Sequence, residues 1–196
     1  AVYCTFVNAY LAPLEIEKTV TSGPTKQADG TFAIAYSVTV TNPGALTDTY
    51  DLDDELRFGS GITVVSAGVS SVEGLPVNAG WDGLTDLRIA TGITIDGGVT
   101  HTYDVTATAR VSSTITTDQA DCTTGSEAEG TGLLNAATVL FTGGDATATA
   151  CAPVPAVLPP TGVTLTALWV GLTMLAGGVI LFVIRRRRYP RTESAA

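Results

Sequence analysis

Few residues in this chain are of a type and spacing that do chemistry. It has one histidine, His101, and three cysteines, Cys4, Cys122 and Cys151. His101 falls on the apolar parity of an alternating run, where an imidazole packs rather than catalyses. A Ser-His-Asp or Cys-His arrangement would need it exposed and oriented by a third group. One His and three Cys are too few for a zinc site. Asp48, Asp51, Asp53, Asp54 and Glu55 crowd one stretch. They lack the alternating oxygen ligands, the glycine and the terminal glutamate of an EF-hand, so they read as solvated turn acids. No catalytic residue, metal or cofactor is expected. Lys18 stands apart, because it interrupts Leu14, Ile16 and Val20 on their own parity and its stem should point inward.

The elements that hold these residues are strands. Phe32, Ile34, Tyr36, Val38 and Val40 alternate with small polar residues up to the turn Asn42-Pro43-Gly44. His101, Tyr103, Val105, Ala107, Ala109 and Val111 alternate in the same way. Shorter strands are expected at 14–20, 49–52, 62–67, 87–90, 133–141 and 146–150. Asp29-Gly30, Asp82-Gly83, Asp96-Gly97-Gly98 and Gly143-Gly144-Asp145 punctuate them. Many short strands separated by such turns predict an all-β, Ig-like antiparallel β-sandwich over 13–151. The Cys-Trp-Cys spacing of antibody domains is missing, so that likeness is architectural. Trp81, in a Gly-Asp turn region, is expected to cover one end.

The C-terminal end is organised differently. Residues 152–162 form a proline-spaced, extended linker ending in Leu158, Pro159, Pro160, Thr161 and Gly162. Residues 163–184 carry no charge and are long enough, at about 1.5 Å per residue, to cross a bilayer as one helix. Trp169 lies near its outer interface. Arg185, Arg186, Arg187 and Arg188 follow, within a basic tail at 185–196. Up to Gly162 five basic residues face eighteen acidic ones, which argues against nucleic-acid partners. The arginines keep the tail inside the cell and send the rest outside. An exported domain permits a disulfide, and Cys122 and Cys151, which bracket the last two strands, are expected to pair. Cys4 is left for a partner upstream. Residues 1–12 read as the last strand of an upstream domain plus a linker. With no signal peptide before it, the chain is expected to be a C-terminal fragment.

The order pentapeptide, apolar span, arginine tail resembles the cell-wall sorting signal of Gram-positive surface proteins, and Leu158 to Gly162 match its LPxTG pattern completely. The resemblance implies a sortase that cuts between Thr161 and Gly162 and joins Thr161 to a peptidoglycan precursor. The membrane would hold the chain only until then, leaving a wall-anchored protein at the cell surface. The stretches LEIEKTV, DGTFAIAYSVTVTNPG, YDLDDEL, GGVTHTYDVTATARV and GLLNAATV resemble the Ig-like conserved-repeat domains of actinobacterial surface proteins. AVYCTFVN is similar to the closing strand of a stalk domain. These families imply a stalk or spacer that is not an enzyme. An adhesin for an unknown ligand, or the anchor of an upstream surface enzyme, remain alternatives; a fibre-forming pilin is disfavoured, since no YPK-type lysine motif is present. Lysine in the first strand, an acid mid-domain and asparagine in a closing strand is also the order of isopeptide-bearing domains of this kind. It implies a Lys18–Asn135 amide assisted by Asp54, with Asp54 expected just after a strand at Tyr50–Leu52. The alternative is a snorkelling Lys18 with its amine in water and Asn135 satisfying a turn.

Overall fold

The computed structural model describes residues 11–122 and 131–155. They belong to the first of two compact units, Ala1–Val157 and Leu158–Ala196. The expected upstream strand in 1–10, the pentapeptide, the apolar run 163–184 and the arginines at 185–188 lie outside the described residues. Among the described residues no helix is long and apolar enough to cross a membrane.

Their regular structure is all strand, apart from one helical turn. The strands are β1 (Glu15–Lys26), β2 (Phe32–Thr41), β3 (Asp48–Leu56), β4 (Ile62–Ser71), β5 (Arg88–Ile95), β6 (Thr100–Val111), β7 (Leu133–Phe141) and β8 (Gly144–Ala152). The turn of helix, α1 (Thr117–Ala120), sits between β6 and β7 behind a Thr116–Gln119 capping box. Two antiparallel four-stranded sheets result, ordered β1-β2-β6-β4 and β5-β3-β7-β8. Their inner faces share one core, to which β2 gives Phe32, Ile34, Tyr36, Val38 and Val40 and the second sheet Leu52, Ile89, Leu133 and Val139. This is the expected sandwich, and its physical basis is the period-2 pattern. Each such strand buries one face and wets the other.

β4 and β5 run on past the expected 67 and 90, to Ser71 and Ile95, and three further strands also differ from expectation. β1 continues to Lys26 through two register shifts after Val20. β3 is twice as long as the pattern suggested, because Asp51, Asp53 and Glu55 take its outward positions while Tyr50, Leu52, Asp54 and Leu56 face in. The acids at 51–55 are therefore strand residues and not turn residues. β8 closes at Ala152 and Val154 is buried beyond it, so the folded part overruns the boundary expected at 151.

The long connection from β4 to β5 closes over the core with Leu75, Val77 and the buried Trp81. Gly83, with φ +70°, is required there, since a Cβ would stand 2.7 Å from the Leu56 side chain and 3.0 Å from the Trp81 ring. The two ends of the described domain lie apart. Leu11 borders Thr142 and Gly143 at the β7–β8 turn, whereas Val154 follows the far end of β8 and bonds the Ala120 carbonyl. With nine residues at about 3.3 Å each, β8 spans roughly 30 Å between them.

Candidate functional site

Lys18 faces Val38 in the β1–β2 register, and its side chain is fully buried. Its neighbours Glu17 and Thr19 are exposed, so strand alternation alone turns the lysine into the core. From the other sheet, Asp54 of β3 and Asn135 of β7 reach the same interior. Asp54 pairs with Ala137 and Leu56 with Asn135, which puts the two polar residues on adjacent strands within the core. Asp54 is 1 % exposed and Asn135 is fully buried.

The Lys18 amine donates a hydrogen bond to Asp54 Oδ2. Asp54 Oδ1 and both polar atoms of Asn135 have no hydrogen-bond partner of normal geometry among the described residues. The Asn135 amide nevertheless lies near enough to Asp54 to pull the Asp54 pKa down. Buried amides left unpaired cost about 1–3 kcal/mol each, and folded proteins rarely keep them without a use. Snorkelling is excluded by the burial of the whole Lys18 side chain, and Asn135 satisfies no turn, because it lies inside β7.

Electrostatics follow from the same burial. Loss of water pushes the Lys18 pKa down, against the opposing pull of the Asp54 charge. Burial pushes Asp54 up, opposed by Lys18 and Asn135 and helped by Glu55. In both groups burial is the largest effect, so the pair is driven toward neutral amine and neutral acid. A neutral amine is a nucleophile, a carboxylic acid polarises and shuttles protons, and a carboxamide is an acyl donor. All three chemical roles occur in one buried cluster.

Two aromatic residues that the sequence did not connect with Lys18 or Asp54 frame it. The Tyr36 ring centroid lies 5.4 Å from Lys18 Nζ, and its hydroxyl donates to the Leu133 carbonyl at 2.6 Å. Trp81 Nε1 donates to the Asp54 carbonyl at 2.9 Å, so it props the acid's strand besides filling the core. Tyr36 was visible only as one more inward residue of β2; its proximity to Lys18 depends on register.

Cys122 and Cys151 form a disulfide with Cα atoms 6.1 Å apart. Cys151 pairs with Leu134, next to Asn135. Gly132, at φ +45°, makes room for the bridge, because a Cβ there would stand 2.9 Å from Cys122 Sγ. The remaining candidates are structural. His101 is buried, with Nδ1 3.0 Å from the Tyr50 hydroxyl, which is itself 2.8 Å from the Tyr103 hydroxyl. Arg88 joins Asp51 and Asp53, and Arg57 joins Glu55, in a ladder on the outer face of the second sheet. No group of three or more His, Cys, Asp or Glu among the described residues could hold a metal ion.

No protein-family model matches the chain, and none of the curated proteins does. Among solved structures, it is similar to the full-length RrgB pilus protein of Streptococcus pneumoniae, with a TM-score of 0.32 and 14% identity over 67% of this chain and 23% of that one. It is similar at a TM-score of 0.31 and 12% identity to a GH20 exo-β-N-acetylglucosaminidase from Vibrio harveyi in complex with N-acetylglucosamine, over 76% of this chain and 19% of that one. The chain thus spans less than a quarter of either protein. Likenesses this distant carry no functional argument.

Proposed function

We propose that this chain is a cell-wall-anchored surface protein whose sandwich is a load-bearing stalk, locked internally by an amide between Lys18 and Asn135. The observation that carries the reading is the buried cluster of amine, acid and unpaired carboxamide. Its chemistry balances without any co-reactant. The Lys18 amine lone pair forms a bond to Asn135 Cγ, and the Cγ–Nδ2 bond breaks. Asp54 takes a proton from the attacking nitrogen and returns it to the leaving nitrogen, which departs as ammonia.

Such a bond suits a spacer under tension. The domain ends lie apart, and β1 and β8 both run from the Leu11 end toward the Val154 end. Force applied at both ends would shear β1 against β8, and the amide would tie β1 to β7, the hairpin partner of β8. Intact mass of the purified chain decides the matter. With the disulfide reduced, it should fall short of the sequence mass by roughly 17 Da, one ammonia, and Lys18→Ala should restore the full value apart from its own change. A full-mass wild-type chain overturns the amide.

The anchoring part of the proposal rests on the sequence order from Leu158 to Arg188. Sortase would join the Thr161 carboxyl to a peptidoglycan precursor, after transient membrane insertion through 163–184. In a sortase-positive host a muralytic enzyme should release the protein and detergent should not. Wall attachment surviving Thr161→Ala would leave a plain membrane anchor instead.

A further inference from the structure

The amide-forming step has a geometric difficulty that the fold must solve. Its nucleophile stands on β1 of one sheet, while acid and acyl donor stand on β3 and β7 of the other. Packed sheets lie about 10 Å apart and are joined by close-packed apolar contacts, which fix the mean spacing but do not aim one polar atom at another. Attack on a carbonyl carbon requires a separation of about 3–3.5 Å, and a misplacement near 1 Å costs on the order of 100-fold in rate. Something must set the gap locally.

We infer that Tyr36 is the positioning residue for this step: its side chain spans the core beside Lys18 and its hydroxyl pins β7 two residues before Asn135. The inference rests on the Lys18–Asn135 reading above. In the β1–β2 register Lys18 faces Val38 and Val20 faces Tyr36, so Tyr36 is the diagonal neighbour of Lys18 on the inner face of the first sheet. Its ring lies against the amine. Its hydroxyl crosses to the second sheet and donates to Leu133, on the same inward parity as Asn135. One rigid side chain therefore touches the nucleophile at one point and the electrophile's strand at another. Tyr36 is fully buried, and burial together with the Asp54 charge pushes its hydroxyl pKa far up. The phenol keeps its proton and is a strut, with no part in proton transfer.

A second polar strut between the sheets provides the comparison. Tyr50 of β3 meets Tyr103 of β6, and Tyr50 pairs with Phe141, at the opposite end of β7 from Leu133. Losing that contact loosens the sandwich without moving the reactants.

The test follows ammonia loss by intact mass during cell-free synthesis of the full chain, with detergent present for 163–184. Wild type, Tyr36→Phe and Tyr50→Phe are sampled over time, and rates are taken per folded, protease-resistant molecule. Loss of fold then does not register as loss of rate. Tyr36→Phe keeps the ring and removes only the strut, so its rate should drop about 10- to 100-fold. Its pH profile should keep the wild-type shape, while Tyr50→Phe should stay within about threefold of wild type. A wild-type rate in Tyr36→Phe would overturn the assignment, as would an equal slowing in Tyr50→Phe, which would mark general loosening. A changed profile shape would also overturn it, by making the phenol a proton carrier. If the wild-type chain itself never loses ammonia, the amide reading fails and takes this inference with it.

Discussion

Replacing Asn135 by alanine removes the acyl donor while leaving the Lys18–Asp54 contact and the disulfide in place. The proposed amide closes a loop of roughly 120 residues, which on the chain-entropy model contributes about 5 kcal/mol. The disulfide offers no shorter covalent route from Lys18 to Asn135, so this contribution is not pre-empted. Removing the buried carboxamide acts the other way only in an unlinked chain, where an orphaned amide costs about 1–3 kcal/mol. For a domain of about 140 residues, unfolding entropy of roughly 0.3 kcal/mol/K turns 5 kcal/mol into a Tm drop near 15 °C. Calorimetry of wild type and Asn135→Ala in oxidising buffer, with the mass of each sample recorded, measures this. Asp54→Asn keeps both reacting groups but loses the proton carrier, and should match Asn135→Ala in lacking the ammonia deficit. Melting of Asn135→Ala within about 3 °C of wild type, a difference an ordinary core substitution produces, would refute a covalent lock.

The disulfide spans 29 residues, so Cys151→Ser should cost about 3–4 kcal/mol on the same model, seen as a lower denaturant midpoint that reductant does not change further. Asp82 accepts from the Thr85 hydroxyl and the amides of Leu84, Thr85 and Asp86, and these bonds hold its pKa below the usual carboxylate range. Asp82→Ala should therefore lower Tm at neutral pH, with the difference fading as pH falls through the folded value; a gap that persists in strong acid would contradict it.

Sequence alone determined whatever depends on local periodicity. The alternation from Phe32 to Val40 and from His101 to Val111 specified β2 and β6, and their side-chain parity held to the last residue. Parity also turned Lys18 inward, because one residue's direction in a strand follows from its neighbours. Cys122 and Cys151 were legible for a similar reason, as the cysteines flanking the final pair of strands. β3 was half hidden. Its inward series Tyr50, Leu52, Asp54, Leu56 is broken by an acid, and its outward acids have low strand propensity, so the charges masked the period. The resemblance put Asp54 beside Lys18, but the strand pattern did not, and the fold shows it as an inward residue of β3. Tertiary structure likewise decided the company Lys18 keeps. That company depends on β1 and β3–β7 lying in opposite sheets, and on Leu56 facing Asn135 in register. Pairings between strands about a hundred residues apart are set by the packing of the whole core, which no local pattern encodes. The Tyr36 bond to Leu133 and the Trp81 bond to Asp54 arise the same way: each joins a side chain to a backbone carbonyl, and a carbonyl leaves no mark in the sequence.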